Sequence, residues 1–309
     1  MQKLLVHGVD GVIGSNLALA LTEHFRVLGL YAKEAIELAG LETARHESGD
    51  HAQLKLLVKD FGPDWILHCG PLAASAWDLA AHRVLADGEA HAVKLLAELS
   101  QAAGSRLSVI TTDAVFAGPR MFHEENSPTT ASGAAAMHAR NVEGMLQSTD
   151  ALVVRTHAYG FGPTVERTSF AEHIWNVLAT GGVLDLDGVR HATPILATDL
   201  APMLLHAYER RFQGLYHITG AERTSPIRFA AELAAVGGFD APRIRPRGSL
   251  SIADIADETS LNCRRARRSL ETPMPLLRDG LARFAVQARD GWRQRVTGSQ
   301  ASHLCATAA

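Results

Sequence analysis

The chain has 309 residues, of which 47% are hydrophobic and 20% charged, so it can bury a sizeable core and is not globally disordered. The 30 basic and 33 acidic residues leave a net charge of −3, so no strong field attracts the whole chain to nucleic acid or to a membrane surface. Three widely spaced cysteines show no zinc or redox spacing, and no apolar run approaches the ~18 residues of a membrane span, so we expect a cytoplasmic protein without a bound metal.

Apolar runs alternate with helix-length amphipathic segments through the first half of the chain. The predicted strands are 3–6, 26–30, 65–69, 107–111 and 151–155, and the predicted helices are 12–23, 51–61, 83–102 and 133–148. Strands rich in Val, Ile and Leu that are separated by helices form parallel sheets with both faces covered. The pattern therefore predicts an α/β fold with a doubly wound parallel sheet.

The alternation loosens beyond residue 155. We predict a helix at 167–179, a pair of short strands at 183–186 and 194–196, a helix at 200–210, and a strand at 214–218 that returns to the sheet. Residues 225–290 are predicted to form helices and loops in a smaller C-terminal lobe.

A glycine-rich turn follows the first predicted strand. Residues 8–14 are Gly-Val-Asp-Gly-Val-Ile-Gly, and a predicted helix follows them. In this position the glycines allow a tight turn, a close approach of a pyrophosphate and close packing of helix on strand. The helix N-terminus adds free amides and a partial positive charge. The segment predicts dinucleotide binding, with a turn that has lost its ligand as the alternative.

Two charged residues bear on which dinucleotide is bound. A base at the end of the second strand tolerates the 2′-phosphate of NADP, whereas an acid there binds the ribose 2′-hydroxyl of NAD. Lys33 occupies this region and favours NADP, unless it is a solvated loop residue. Asp50 precedes a predicted helix, so it is expected to be either an N-cap or a contact to the adenine.

Later segments carry a family resemblance. They are Pro-Asp-Trp-Ile-Leu-His-Cys-Gly at 63–70, Thr-Thr-Asp-Ala-Val-Phe-Ala-Gly at 111–118, Val-Arg-Thr-His-Ala-Tyr-Gly at 154–160 and Gly-Leu-Tyr-His-Ile-Thr-Gly at 214–220. Over about residues 3–290 the chain resembles the extended short-chain dehydrogenases/reductases, in the branch of dTDP-4-dehydrorhamnose reductase. The resemblance implies a Rossmann fold, NADP or NAD as cofactor, and a small-molecule ligand such as a nucleotide sugar.

The resemblance also implies where the cofactor and the ligand bind. We expect a dinucleotide-binding domain of residues 1–160 plus about 193–220, a substrate lobe of about 161–192 plus 221–296, and a flexible tail of 297–309. The expected cofactor contacts lie on the glycine turn and at the ends of the following strands: Gly8, Gly11, Val12, Ile13, Gly14, Lys33, Asp50, Cys69, Gly70 and Thr111.

The proton-delivery residues of these enzymes are absent from the chain. The resembling enzymes use a tyrosine, a lysine four residues later, and a serine or threonine that corresponds to Thr112. Counted from Pro128, the tyrosine position holds Ser132 and the lysine position holds Ala136. Another register cannot supply the pair, because no tyrosine lies between residues 32 and 158 and no lysine follows residue 94.

Other residues could replace the missing acid. Asp113 follows Thr112, and His157 follows the fifth predicted strand, where open α/β sheets bind ligands. Thr112, Asp113, Ser132 and His157 are therefore the candidate catalytic residues.

Two functions remain open from the sequence. The first is an atypical oxidoreductase acting on a nucleotide-sugar-like or other small ligand, with the proton supplied by a substitute acid, by water or by the substrate. The second is a non-catalytic cofactor-binding subunit with a regulatory or scaffold role. Either could form a homodimer or a complex with another protein.

Overall fold

The computed structural model describes residues 1–32, 35–47, 49–79, 89–164, 167–247 and 257–298. Its strands are β1 (Lys3–His7), β2 (Arg26–Tyr31), β3 (Glu42–Arg45), β4 (Trp65–His68), β5 (Arg106–Thr112), β6 (Leu152–Thr156), β7 (Ala158–Tyr159), β8 (Val183–Asp187), β9 (Ile195–Leu196), β10 (Gly214–His217) and β11 (Arg243–Arg247). Its helices are α1 (Val12–Ala20), α2 (His51–Phe61), α3 (Ala76–Leu79), α4 (Glu89–Ala103), α5 (Ala134–Leu146), α6 (Phe170–Ala179), α7 (Ala197–Glu209), α8 (Pro226–Gly237), α9 (Arg264–Leu270), α10 (Leu277–Gln287) and α11 (Trp292–Thr297).

Seven strands form one parallel sheet in the order β10-β6-β5-β4-β1-β2-β3. The order reverses next to β1, so the carboxyl ends of β1 and β4 lie at the switch point where such sheets bind ligands. The predicted doubly wound α/β fold is confirmed.

The two faces of the sheet have separate apolar cores, because successive side chains on a strand point to opposite faces. On β1, Leu4 and Val6 belong to a cluster that includes residues of α1 and α7, whereas Leu5 belongs to a cluster with residues of α2, α4 and α5. Both clusters are almost fully buried. The sheet therefore fixes the backbone positions of the loops at its carboxyl edge.

The short elements differ from the sequence predictions. The strands predicted at 183–186 and 194–196 form, but they do not pair with each other: β8 pairs with β11, and β9 pairs with β7. The prediction missed β11, which lies in the region assigned to helices and loops, and β3, a largely polar edge strand without an apolar alternation. Short strands carry too few residues for a local pattern to specify their partners.

The domain boundaries remain a prediction. Of the predicted tail, Thr297 ends α11, and residues 299–309 lie outside the described residues, as do residues 80–88 at the start of the predicted helix 83–102. Among the described residues, no helix combines the length and the apolarity that a membrane crossing requires.

Candidate functional site

The outer glycines of the turn after β1 are required by packing. Gly8 has a φ of +96°, and a Cβ on it would lie 2.3 Å from the carbonyl oxygen of Cys69. A Cβ on Gly14 would lie 2.1 Å from the carbonyl oxygen of Gly8. Since real Cβ contacts are longer, either substitution would force the backbone to move.

The middle glycine, Gly11, is not required by packing. A Cβ on it would come no closer than 3.5 Å to another atom, and its φ of −101° and ψ of 158° suit any residue. Gly11 is the N-cap of α1, and no side chain caps the first amides of that helix, which begins with Val12 and Ile13. A helix N-terminus with uncapped amides attracts anions, so the residues present fit the pyrophosphate of a dinucleotide.

An ion pair lies beside this turn and was not predicted. Asp10, within the turn, has its carboxylate 3.4 Å from the guanidinium of Arg167, which also donates to the Asp10 carbonyl oxygen at 2.6 Å. The same carboxylate accepts from the amide of Ala32 at 3.4 Å. The acidic group at the end of β2 is therefore Asp10, which belongs to the glycine turn and is paired with Arg167.

Of the two charged residues predicted to select the dinucleotide, the structure describes one. Asp50 is the N-cap of α2, where its Oδ1 accepts from the amide of Gln53 at 2.9 Å. The capping role is as predicted, and the contact to adenine remains a prediction. Lys33 lies outside the described residues.

The residues that follow β4 pack against the glycine turn. Cys69 is buried, its backbone carbonyl faces Gly8, and burial raises the pKa of its thiol. Gly70 leaves room for the buried contact between His68 and Glu89, because a Cβ on Gly70 would lie 2.3 Å from Glu89 Oε1 and 2.7 Å from His68 Nε2. Their predicted cofactor contacts remain predictions, and the observed contacts are within the protein.

The side chain of Thr111 hydrogen-bonds to a buried ion pair between Glu143 and Arg155. Its hydroxyl donates to Glu143 Oε1 at 3.0 Å. Glu143, on α5, binds the Arg155 guanidinium through both oxygens, at 2.9 and 2.6 Å. All three side chains are buried. Any cofactor contact of Thr111 must therefore come from its backbone.

The helix that would carry the tyrosine and the lysine begins after the first predicted position. Ser132 is exposed and precedes α5, whose N-cap is Gly133. Ala136 is buried on the inward face of α5. The other buried residues of that helix are aliphatic apart from one acid: Ala139, Val142, Glu143 and Leu146. No hydrogen bond among the described residues connects Ser132 to Thr112, Asp113 or His157.

Asp113, the second candidate catalytic residue, is saturated with internal hydrogen bonds. Its Oδ1 accepts from the amide of Ala76 at 2.9 Å and from the hydroxyl of Thr112 at 3.4 Å. Its Oδ2 accepts from His157 Nδ1 at 2.7 Å and from the hydroxyl of Thr259. A carboxylate offers about four lone-pair positions. Groups of the protein itself occupy all four here, so Asp113 orients its neighbours, and its catalytic role remains a prediction.

His157 lies next to Asp113, a contact that the sequence did not predict, and its ring is covered by aromatic side chains. In the neutral ring whose Nδ1–H donates to Asp113, the lone pair is on Nε2, which is buried and has no hydrogen-bond partner among the described residues. The ring of Trp77 lies edge-on at 4.6 Å, and that of Phe170 at 5.7 Å. The pair has the geometry of a general base but is sealed from solvent by aromatic rings.

Tyr159 and the lysines of α2 and α4 do not replace the missing pair. Tyr159 is buried in the core, and burial, followed by the nearby Asp199 carboxylate, raises the pKa of its phenol well above the ordinary value. Lys55 and Lys59 are exposed on α2, and Lys94 is exposed on α4. Within the described part of the chain, no group of three or more His, Cys, Asp or Glu side chains is arranged to hold a metal ion.

Sequence reasoning missed several site residues for different reasons. His7 and His68 end adjacent parallel strands in register, so their contact could have been predicted from the strand order. Arg167 is 157 residues from its partner Asp10 in the sequence, and Thr259 is 146 residues from its partner Asp113. No local sequence pattern indicates either contact.

Comparison with known proteins places this geometry in a family. The chain matches the family described as RmlD substrate binding domain over residues 1–289. A curated relative, methionine adenosyltransferase 2 subunit beta of Xenopus laevis, is 24% identical over 326 aligned positions that cover 96% of this chain and 91% of the relative.

Solved structures agree on the fold. The dTDP-4-dehydrorhamnose reductase of Bacillus anthracis in complex with NADP superimposes with a TM-score of 0.76 at 18% identity, covering 94% of this chain and all of that one. The UDP-glucose 4-epimerase of Thermus thermophilus in complex with NAD gives a TM-score of 0.78 at 18% identity, covering 93% and 99%. The chain belongs to the RmlD substrate-binding-domain family, with the fold of the extended short-chain dehydrogenases/reductases.

Proposed function

We propose that this protein binds a pyridine dinucleotide, NADP or NAD, on its glycine turn and acts as a non-catalytic subunit of a protein complex. The observation that carries the proposal is one combination: the turn of Gly8, Gly11 and Gly14 is intact, while α5 presents only aliphatic side chains and Glu143 to the core.

The dinucleotide would be held by backbone groups of the turn. Its pyrophosphate would face the uncapped amides at the start of α1, next to Gly11, and Arg167 would offset the charge of Asp10 beside it. A bound nicotinamide supplies or accepts a hydride, but carbonyl reduction also needs a proton. Positioned acid–base groups contribute about 10²–10⁴ in rate. Losing the tyrosine and the lysine removes this contribution, whereas it leaves the pyrophosphate contacts intact.

The role in a complex is supported by the curated relative. That protein is named as a subunit of methionine adenosyltransferase 2, and the match covers almost the whole of both chains. We extend the subunit role to this chain on the ground that its candidate catalytic groups bind each other: Asp113 is saturated and His157 is covered.

The test separates binding from turnover. NADPH and NADH are titrated into the protein with fluorescence detection, and absorbance is then followed with dTDP-4-dehydrorhamnose. We expect saturable binding without turnover. Turnover at a rate typical of enzymes, about 1–10³ per second, would refute the non-catalytic role. A lack of binding would refute the dinucleotide site.

A substitution at Gly11 tests the site itself. Gly11→Ala fits the backbone and the packing but fills the space where the pyrophosphate would approach, so we expect at least about tenfold weaker binding, or ~1.4 kcal/mol. Gly144→Ala on α5 is the matched control, because a Cβ there meets nothing within 4 Å. Equal affinities in both variants would contradict the proposed binding mode.

One observation favours the alternative of an atypical oxidoreductase. His157 Nε2 is a buried acceptor without a partner among the described residues, next to a carboxylate that orients the ring. If Trp77 moved aside, this nitrogen could exchange a proton with a small ligand. Under this alternative His157→Gln would abolish a measured turnover and leave dinucleotide binding unchanged.

A further inference from the structure

A chain of histidine side chains runs beneath the glycine turn. His7 and His68 end β1 and β4, and their Nδ1 atoms are 3.1 Å apart. His7 Nε2 lies 3.1 Å from His46 Nδ1, and His46 Nε2 lies 3.2 Å from the carbonyl oxygen of Asp50. At the other end, His68 Nε2 lies 3.1 Å from Glu89 Oε1. The four contacts form one continuous chain from the cap of α2 to the start of α4.

The number of hydrogens in this chain follows from counting. The Asp50 carbonyl can only accept, and each of the four contacts needs one hydrogen between its two atoms. Three neutral imidazoles carry one N–H each, which leaves one contact without a hydrogen. The fourth hydrogen must be an additional proton, either on the Glu89 carboxyl or on one of the three rings. The chain is therefore complete only when it holds one titratable proton beyond those of neutral imidazoles.

The extra proton can move along the chain without rearranging the heavy atoms. With the proton on Glu89, the rings are all neutral; with it on His68, Glu89 is a carboxylate paired with an imidazolium. When the proton is transferred from His68 through His7 to His46, each imidazole in turn changes which ring nitrogen carries its hydrogen. Burial, followed by the charges of His68 and His46, lowers the pKa of His7 well below the ordinary value, so the middle of the chain disfavours the charge.

The charged groups that face the chain lie at its two ends. At the His46 end, burial lowers the pKa of that ring, the nearby Asp50 opposes this effect, and the His51 charge adds to it. At the other end the only facing charge among the described contacts is that of Glu89, whose Oε1 also accepts from the amide of Leu72 at 3.3 Å. The absence of a side chain at Gly70 allows His68 and Glu89 to come into contact.

We propose that Glu89, His68, His7 and His46, of which His7 is half-buried and the others are buried, form a proton relay that holds one shared proton and couples dinucleotide binding to pH. The coupling rests on the proposed function: His7 directly precedes Gly8, so a bound pyrophosphate would place negative charge next to the relay. Loss of the shared proton would make the relay negative and disfavour the dinucleotide, and by reciprocity the dinucleotide would hold the proton more tightly. Affinity is then constant while the proton is held and falls by up to about tenfold per pH unit once it is lost.

The first experiment needs no dinucleotide. Long-range proton–nitrogen spectra of the histidine rings report the protonation of each nitrogen as a function of pH. We expect the resonances of His7, His46 and His68 to change together, with one midpoint that belongs to the network. Independent titration of any one of them near the ordinary pKa of ~6.5 would overturn the relay.

The second experiment compares two variants that differ in the hydrogen count. In Glu89→Gln, the amide N–H supplies the fourth hydrogen without a titratable proton. In His46→Gln, the amide donates to Asp50 and accepts from His7, so the shared proton is still needed. NADP⁺ affinity is measured by calorimetry from acid to alkaline pH. We expect the wild type and His46→Gln to lose affinity at high pH, and Glu89→Gln to show none of this dependence.

The outcomes separate the relay from the proposed function. A wild-type affinity without pH dependence would overturn the coupling, and so would a dependence that survives Glu89→Gln. If NADP⁺ binds at no pH, the proposed function fails, while the ring spectra still decide whether the relay exists. If Glu89→Gln does not fold, the spectra of His46→Gln decide: a retained joint titration of His7 and His68 supports the shared proton, and its loss overturns it.

Discussion

The environment of His217 predicts how this protein loses stability in acid. His217 ends β10 and is fully buried. Its Nδ1–H donates to the carbonyl oxygen of His123 at 3.0 Å, so the lone pair is on Nε2, which faces the Arg155 guanidinium at 3.4 Å. Protonation would place a second cation beside that guanidinium. Burial, and then the Arg155 charge, accordingly lower the pKa of His217 to about 3.

The sign and size of the effect follow from this pKa. In the unfolded chain a histidine has a pKa of about 6.5, so below that pH the unfolded state binds a proton that the folded state does not, and stability falls as pH falls. One such histidine costs RT ln(1 + 10^(6.5 − pH)), which is about 2 kcal/mol at pH 5. This is a large share of the ~5–15 kcal/mol by which domains are stable.

Urea unfolding at about pH 8 and about pH 5 measures this effect. In His217→Asn the amide can donate to His123 and accept from Arg155 without titrating. We expect the loss of unfolding free energy between the two pH values to be smaller by about 2 kcal/mol in this variant than in the wild type. His24→Asn, at an exposed position, is the control and should keep the wild-type loss. An unchanged pH dependence in His217→Asn would refute the reasoning.

Three further predictions concern the turn and α5. Gly14→Ala should prevent folding to the native state, seen as a lost cooperative transition, because the new Cβ would lie 2.1 Å from a carbonyl oxygen of the turn; a native-like melting temperature would contradict this. Glu143→Gln should lower the unfolding free energy by about 3–5 kcal/mol in urea, because it leaves the buried Arg155 guanidinium without its counter-charge; a loss below about 1 kcal/mol would show that the pair is solvated. The double variant Ser132→Tyr with Ala136→Lys should gain no NADPH-dependent reduction, because residue 132 is exposed and precedes the helix; turnover would show that the site can open.

The sequence allowed the fold to be predicted, because the fold depends on local patterns, and it shows directly which residue types stand at the positions of the catalytic pair. Val-, Ile- and Leu-rich strands separated by helices specify the parallel sheet, and a missing residue type is visible in any register. The internal pairing of the site could not be predicted. Thr259 reaches Asp113 across 146 residues, and Arg167 reaches Asp10 across 157 residues. Such contacts depend on how the lobe packs on the sheet, which no periodicity specifies.

The saturation of Asp113 has a consequence for how the molecule tolerates change. Active sites commonly hold unsatisfied polar groups at a cost in stability, so that a substrate can complete them. Here the protein supplies the four partners itself, through Ala76, Thr112, His157 and Thr259. Because these partners come from four separate segments of the chain, a substitution at Asp113 should disturb all four and lower the melting temperature.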